Sequence, residues 1–285
     1  MKHFKQYLKI YFLLFLLATN ITIFYSVYYI SGTNLEVAFL DVGQGDAIFI
    51  KSPDGHQMLV DGGPNNSVLR ELGKVMPFYD RTIDVVLASH ADQDHIGGLV
   101  EVLKRFKVDL LIRSNTTSTS AVYTELEALV KEKNIKEEIV MKPEILTLGP
   151  NTEFDILFPN QNTAGWETND ASIVGKLVYG NNSFLLTGDS PQAIEKYLVG
   201  KYGDFIKSDV LKVGHHGSKN SNSELFVGTV SPAYSVISVG LNNRYGHPNP
   251  EAIKVLTDFG GQILETLNQG TIKFESDGQN LILAN

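Results

Sequence analysis

The segment His90–His95 constrains the fold of this chain more than any other stretch of its sequence. It reads HADQDH, so two histidines and two aspartates, all metal-binding residue types, lie within six positions. The apolar run IDVVLA before it is typical of a buried strand, and IGGL after it begins a helical pattern. A loop that leaves a strand can direct such side chains toward two separate points. The spacing therefore predicts that His90 and Asp92 can bind one metal ion, and that Asp94 and His95 can bind a second.

Further candidate ligands lie where other predicted strands end. Asp189 ends the stretch SFLLTGD, a good position for a carboxylate that bridges two metals. His215 and His216 end VLKVGHHGS, and His247 lies in NRYGHP. If the strands are aligned, their ends meet at one edge of the fold. Together these positions predict a single metal site assembled from distant parts of the sequence.

The composition limits both the metal and the ligands of the protein. There is no cysteine, so disulfides and thiolate metal sites are excluded. Histidine, carboxylate, carbonyl and water ligands suit Zn²⁺, Mn²⁺ and related ions. The net charge of −8 counts against a long electrostatic track for DNA, because proteins with such tracks are usually basic.

From residue 35 to residue 285, predicted strands alternate with single helices in two successive halves of similar composition. The residues around PDG at 53–55 predict a hairpin, and apolar positions at helical spacing predict helices over 67–79 and 121–134. We expect an α+β fold in which two mixed sheets pack together with helices outside. This is a four-layer αββα sandwich.

The N-terminal stretch 10–30 contains 21 residues without a charge, long enough to cross a bilayer as a helix. Three lysines precede it, and the positive-inside rule then predicts a cytoplasmic tail over 1–9, a transmembrane anchor over 10–30 and an extracellular domain. A cleaved signal peptide has a shorter apolar core and small residues at its cleavage site. Bulky Tyr and Ile before Ser31 favour an uncleaved anchor in the cell membrane. A buried helix of a soluble protein is a third alternative.

The order of the motifs resembles that of the metallo-β-lactamase-like hydrolases. Within them, the chain is most similar to the extracellular hydrolase domain of ComEC-type DNA-uptake competence proteins and their stand-alone relatives. The resemblance rests on LDVGQGDA (40–47), LVDGG (59–63), SHADQDHIGGL (89–99), NDASIV (169–174), LLTGD (185–189), LKVGHHGSKNS (211–221) and YGHPNPEAI (245–253). It covers nearly all of the chain from residue 35 onward.

Two positions depart from the commoner superfamily pattern. Asp92 stands where most members have a histidine, as it does in the competence-type branch. The superfamily also usually supplies a lone histidine between the first motif and the bridging aspartate, but this chain has none between 96 and 214. Asn169 or Asp170 can take that place.

The resemblance implies two divalent ions, Zn²⁺ or Mn²⁺, and a set of metal ligands in this chain. The ligands are His90, Asp92, Asp94, His95, Asp189 and His215. Asp189 would bridge the ions, and His215 is preferred over His216 because it comes directly off the strand. His216 would then lie behind the ligands or face substrate. Asp61 would orient the ligand loop through hydrogen bonds.

For catalysis, the resemblance implies that a hydroxide held by the metals is the nucleophile, so no serine or cysteine is needed. Asp94 is a candidate to take its proton, and His247 to protonate the leaving group or contact substrate. Three residues are candidates to contact phosphate oxygens. They are Ser218, Lys219 and Arg244.

Three functions remain open at the level of sequence. The first is an outward-facing phosphodiesterase or nuclease that acts on DNA. The second is a hydrolase of a cell-envelope or small-molecule ester, such as a phosphorylcholine-type ester or a lactone, which the acidic charge fits at least as well. The third is a non-catalytic, membrane-tethered binding module, and the nearly complete ligand set argues against it.

Overall fold

The computed structural model describes residues 2–30, 34–241 and 243–284, and it divides into two units, Met1–Thr33 and Asn34–Asn285. The first unit is one helix, α1 (Lys2–Ile30). Its stretch Tyr7–Tyr25 has a mean hydropathy of 1.7, and none of that stretch is buried among the described residues. The helix is long and apolar enough for a membrane anchor or a signal sequence. Ser31, the position at which the sequence analysis weighed an uncleaved anchor against a cleaved signal peptide, lies outside the described residues.

The second unit is built from strands and short helices that alternate along the chain. In chain order its strands are β1 (Leu35–Phe39), β2 (Ile48–Lys51), β3 (Gln57–Val60), β4 (Thr82–Ala88), β5 (Lys107–Ser114), β6 (Lys136–Val140), β7 (Glu144–Thr147), β8 (Thr152–Phe158), β9 (Val174–Tyr179), β10 (Asn182–Leu186), β11 (Val210–Lys212), β12 (Tyr234–Ile237), β13 (Gln262–Glu265), β14 (Ile272–Ser276) and β15 (Leu281–Ala284). Its helices are α2 (Ser67–Val75), α3 (Gln93–Arg105), α4 (Ala121–Glu132), α5 (Gln192–Tyr202), α6 (Glu224–Val230), α7 (Pro250–Phe259) and α8 (Thr266–Gln269).

The strands form two mixed sheets, as expected from the sequence. The first has the order β15-β14-β1-β2-β3-β4-β5-β6, and the second β13-β12-β11-β10-β9-β8-β7. In the first sheet β3 to β6 are parallel, and in the second β10 to β13 are parallel. The remaining pairs in both sheets are antiparallel.

Three buried clusters separate the four layers. Strand β1 shows how one strand serves two of them, since side chains alternate between the faces of a strand. Val37 and Phe39 point into the core between the sheets, whereas Ala38 packs in the cluster under α2, α3 and α4. The third cluster joins the second sheet to α5, α6 and α7. Because both of their faces are covered, central strands such as β2 and β4 are apolar at most positions, whereas the edge strand β6 is largely charged. The predicted layering is confirmed.

Helix α2 is shorter than the sequence pattern predicts. It ends at Val75 rather than at residue 79, and Met76 has extended backbone angles. Pro77 explains the difference, because proline disfavours a helical conformation at the residue before it.

The first turns of α3 dock on the loop after β3 through backbone hydrogen bonds. Gly62 N donates to His95 O at 2.7 Å, and Gly98 N donates to Gly63 O at 2.8 Å. A Cβ at position 98 would lie 1.9 Å from Gly62 O and 2.6 Å from Asn65 O. Glycine at position 98 therefore permits the contact that places the start of α3 beside the metal-binding motif.

We expect Gly98→Ala to destabilise the domain by about 3 kcal/mol, because backbone atoms cannot move aside as a flexible side chain can. The measurement is urea unfolding followed by far-ultraviolet circular dichroism. The matched control is Gly73→Ala in α2, where an added Cβ meets nothing within 4 Å. Gly73→Ala should be more stable than the parent chain by about 0.5–1 kcal/mol. Equal unfolding midpoints for the two variants would contradict the close docking of α3.

Candidate metal centre

The carboxylate of Asp189 lies at the middle of a histidine cluster where the two sheets meet. Its Oδ1 is 3.4 Å from His95 Nε2. Its Oδ2 is 3.6 Å from His215 Nε2, 3.7 Å from His216 Nε2 and 3.9 Å from His90 Nε2. Asp189 is buried just beyond the end of β10, so one carboxylate has four imidazole rings within 4 Å.

The motif after β4 lies along one side of this cluster. His90 Nε2 is 3.7 Å from Asp92 Oδ2, and Asp92 is the residue before the first turn of α3. Asp94, within that turn, has its Oδ2 at 3.5 Å from His216 Nε2. A carboxylate at the start of a helix is stabilised by the helix dipole. The structure thus groups His90 with Asp92, and Asp94 with a histidine from the other sheet.

Asp61 holds two of the histidine rings from behind. Its Oδ2 lies 2.8 Å from His95 Nδ1 and accepts a hydrogen bond from Ser89 Oγ at 2.7 Å. The same hydroxyl is 3.0 Å from His90 Nδ1. With the Nδ1 atoms engaged on this side, the Nε2 atoms face Asp189. Asp61 also has a φ of +59°, a strained conformation for a residue other than glycine, and such strain concentrates at functional sites.

His216 is held by a second group of residues. Its Nδ1 lies 2.9 Å from Ser238 O and 3.4 Å from Asp46 Oδ1, and Lys212 Nζ lies 2.8 Å from Asp46 Oδ2. The sequence analysis assigned no role to Asp46, which lies in the motif LDVGQGDA, and did not single out Lys212. The available signal was a lysine inside the apolar strand VLKVG, directly before the two histidines.

The geometry favours His216 over His215 as a ligand, which reverses the sequence-based choice. His216 is buried and its Nε2 is within 4 Å of both Asp94 and Asp189. The side chain of His215 is 27% exposed and has one such contact, with Asp189. Both residues have left-handed backbone, with φ of +48° and +53°. This tight turn after β11 breaks the alternation of the strand, so proximity to the strand end does not decide which ring points inward.

The electrostatics of the cluster follow from burial and opposite charges. Burial and the charge of His95 lower the pKa of His90. Burial also opposes the charged form of His216, but the carboxylates of Asp189 and Asp46 outweigh it and raise the pKa of His216 to about 9. For Asp189, burial is likewise outweighed, and the positive charges of His95 and His216 hold the pKa well below its usual range. These charges therefore keep the carboxylate of Asp189 ionised.

A pair of divalent metals fits these residues. The buried atoms that lack a hydrogen-bond partner among the described residues include four that face one another here: His90 Nε2, His95 Nε2, His216 Nε2 and Asp189 Oδ1. Buried polar atoms are rarely left unpaired, so their convergence indicates a ligand that they share. Ligand atoms lie within 4.8 Å of one another in His90, His95 and Asp189, and again in Asp94, His95 and His216. These two overlapping groups are consistent with a binuclear metal site.

The structure distinguishes between Asn169 and Asp170. The Oδ1 of Asn169 is buried without a hydrogen-bond partner among the described residues, whereas Asp170 is exposed. The same short segment reaches the centre, because Asp189 N donates to Ser172 Oγ at 3.2 Å and Ile173 N donates to Ser89 O at 2.9 Å. Asn169 is therefore the better candidate for the place of the missing histidine.

A stack of rings leads away from the centre. The rings of His215 and His247 are 5.6 Å apart, and those of His247 and Tyr245 are stacked at 5.9 Å with 14° between their planes. Arg244 lies over Tyr245, with Cζ at 4.9 Å from the ring centroid. Burial and the charges of His215 and His216 lower the pKa of His247, so its ring is neutral at pH 7.

The three candidate phosphate contacts do not lie together. Arg244 lines a cleft of about 460 Å³ that also includes Asp94, Gln44 and Tyr245. Lys219 lines a different cleft. The hydroxyl of the buried Ser218 accepts a hydrogen bond from Asn220 N, within its own loop. The structure thus places only Arg244 of these three on the cleft that reaches Asp94.

The layered fold and the histidine–aspartate cluster define a metal-binding protein of known type: the chain belongs to the metallo-β-lactamase superfamily, whose family model matches residues 40–240. It is 32% identical over 258 residues to ComE operon protein 3 of Bacillus subtilis, covering 84% of this chain and 33% of that protein. It is 29% identical over 242 residues to competence protein ComA of Neisseria gonorrhoeae, covering 84% and 32%. The chain thus spans about a third of the length of these relatives.

The fold also matches a solved structure at low sequence identity. The metallo-β-lactamase fold protein YhfI from Bacillus subtilis is 17% identical, with a TM-score of 0.52 over 83% of this chain and 98% of that chain. This likeness shows the fold. The family membership and the buried cluster together indicate a metal-dependent hydrolase related to the ComEC-type proteins.

Proposed function

We propose that this protein is a two-metal phosphodiesterase held at a membrane by its N-terminal helix. The observation that supports it best is the convergence of unpaired, buried Nε2 atoms from three histidines on one carboxylate, that of Asp189. The cleft beside this cluster includes a cation, Arg244, that suits a phosphate oxygen.

The proposed ligand sets follow the two groups of side chains. His90 and Asp92 would hold one ion, Asp94, His95 and His216 would hold the other, and Asp189 lies where it could reach both. Asn169 Oδ1 is a further oxygen ligand for the ion at His90. When bound, two divalent ions supply Lewis-acid activation of water and neutralise charge on a phosphoryl oxygen. Zn²⁺ and Mn²⁺ both suit these nitrogen and oxygen ligands.

The remaining residues bind and orient substrate. The side chain of Asp94 is partly exposed and lines the cleft, so it is placed to accept a proton from water. The neutral ring of His247 suits a hydrogen bond to substrate better than proton donation, because donation requires the charged form. Arg244 contacts a phosphate beyond the scissile one, since its neighbour Tyr245 lies between it and His247.

The substrate class that we favour is a nucleic-acid strand, in keeping with the names of the competence-type relatives. The net charge of −8 fits a short contact at the cleft rather than a long basic track. A second candidate is a small ester, such as a phosphorylcholine-type ester or a lactone. The acidic charge and a cleft of about 460 Å³, within the size range of small-molecule sites, favour it.

The experiment that tests the function is metal analysis of the purified chain, followed by turnover of single-stranded DNA, bis-p-nitrophenyl phosphate, a phosphorylcholine ester and a lactone. We expect about two equivalents of metal and hydrolysis of the first two substrates. KM for DNA should rise with added salt, because strand binding releases counterions, whereas KM for a small ester should not. A chain that binds no metal would be the non-catalytic alternative.

For the N-terminal unit, we propose that Tyr7–Tyr25 spans the cell membrane and leaves the larger unit outside. Its length and hydropathy support this proposal. Uncleaved protein that resists carbonate extraction, and that external protease digests down to the helix, would agree with it. A shortened, soluble product would identify a signal sequence.

We expect Tyr245→Ala to raise KM for single-stranded DNA about 10-fold, because a base can take the ring face that Arg244 covers once the guanidinium binds a phosphate oxygen, and such stacking contributes on the order of 1–3 kcal/mol per base. The side chain is 51% exposed and its ring is stacked over that of His247. The control variant Tyr245→Phe keeps the ring and should keep KM. The control substrate is a strand with abasic residues, for which Tyr245→Ala should change little. An equal rise in KM for the normal and the abasic strand would exclude stacking.

A further inference from the structure

Lys212 and Asp46 form an ion pair buried beneath the metal centre. The two side chains come from different sheets, Lys212 from the end of β11 and Asp46 from the loop between β1 and β2. Lys212 Nζ lies 2.8 Å from Asp46 Oδ2 and donates to Val213 O at 2.8 Å. Both side chains are almost fully buried. A lysine in this position is unusual, because lysines are almost never fully buried unless they are paired.

Stability alone does not explain the pair. Two apolar residues of similar volume often stabilise a core as well as a buried ion pair does, since the ions lose their hydration. The other oxygen, Asp46 Oδ1, points to the histidines: it lies 3.4 Å from His216 Nδ1 and has no hydrogen-bond partner among the described residues. The pair is therefore part of the surroundings of the centre.

Asp46 is close enough to be a metal ligand itself. Ligand atoms of Asp46, Asp189 and His216 lie within 4.8 Å of one another. Its backbone is tied to the ligand loop, because Asp46 N donates to Asp94 O at 3.3 Å. An additional carboxylate on a divalent ion binds it more tightly and fills a position that water or substrate would otherwise occupy.

We propose that Lys212 is a positioning residue that holds Asp46 off the metals, so that Asp46 orients His216 without becoming a ligand. The inference rests on the proposed metal centre. Lys212 Nζ engages one oxygen of Asp46 and is held in place by its hydrogen bond to Val213 O. The consequence is a coordination position that stays open for reaction. Lys212 thus raises turnover and lowers the affinity of the centre for metal.

The test uses the full chain in detergent, stripped of metal and reloaded with Co²⁺, and compares it with Lys212→Met. Methionine keeps the length of the side chain and removes its charge, so the carboxylate of Asp46 loses the ammonium group that pairs with it. We expect Co²⁺ to bind about 10-fold more tightly, whereas loss of an ordinary orienting partner weakens metal binding about 10–100-fold. The visible d–d absorption should weaken, because its intensity falls as the coordination number rises. We also expect kcat to fall about 10-fold with the extra ligand in place.

Two further variants complete the test. Asp46→Asn combined with Lys212→Met removes the competing carboxylate and should return the absorption and kcat toward those of the parent chain. Lys176→Met is the matched control, since Lys176 is a buried lysine of the same sheet whose Nζ donates to Phe205 O and Lys207 O. Lys176→Met should change neither the affinity for Co²⁺ nor the d–d absorption.

The possible results distinguish a positioning role of Lys212 from a purely structural one. Tighter Co²⁺ binding, weaker absorption and rescue by the double variant support the inference. Weaker or equal binding in Lys212→Met, or an unchanged absorption per bound ion, overturns it and leaves the lysine a structural residue. A parent chain that binds no Co²⁺ would overturn the proposed metal centre and this inference together.

Discussion

Asp189→Asn is expected to lower kcat on the order of 10³-fold while the domain stays folded, a loss comparable to removal of a group that stabilises charge in a transition state. Among the described residues, this carboxylate is the one within 4 Å of His90, His95, His215 and His216. Asparagine has nearly the same shape, but it removes the negative charge and one of the two oxygens. It therefore cannot bind two cations as the carboxylate can.

The measurement for Asp189→Asn is kcat on bis-p-nitrophenyl phosphate together with bound metal per chain. Asp155→Asn is the matched control, because Asp155 is a buried aspartate of the same sheet outside the cluster. Burial and the charge of Glu153 raise the pKa of Asp155, so the neutral amide should be tolerated and kcat unchanged. Intact turnover by Asp189→Asn would contradict the central role of this carboxylate.

Much of the fold could be predicted because it depends on local patterns. The strands carry apolar residues on both faces, and this pattern requires a layer on each side, as the three buried clusters confirm. The position of the candidate ligands also followed from the sequence, since strand ends in a layered fold gather at one edge. The predicted end of α2 was wrong by four residues, because the prediction did not include the effect of Pro77 on the residue before it.

The rest of the site depends on contacts that the sequence does not encode locally. The pair of Asp46 and Lys212 joins two sheets, and only the packed fold shows that they touch. Ser218 and Lys219 follow the histidines closely, yet the loop turns them away from the cleft. The choice of His215 over His216 stays a prediction that the geometry does not favour, because two left-handed residues in succession cannot be read from a strand pattern.

We expect His216→Ala to be far more damaging than His215→Ala, although the two residues are adjacent. His216 Nε2 is buried, unpaired among the described residues and within 4 Å of Asp94 and Asp189, so in the proposed centre its loss would remove a ligand of one ion. Loss of a group that only orients a ligand already weakens metal affinity about 10–100-fold, and we expect at least that for His216→Ala. Turnover at limiting metal should fall in parallel.

His215→Ala supplies the internal control for this comparison. The ring is partly exposed, touches one carboxylate and stacks against His247, so we expect metal affinity within about threefold of the parent and a moderate rise in KM. The measurement is competition of each variant with a chelator of known affinity, followed by kinetics at saturating metal. If His215→Ala lost the metal and His216→Ala kept it, the ring nearest the strand would be the ligand. In that case the inward-facing ring of His216 would need another explanation, because a buried imidazole between two carboxylates is otherwise left without a partner for its Nε2.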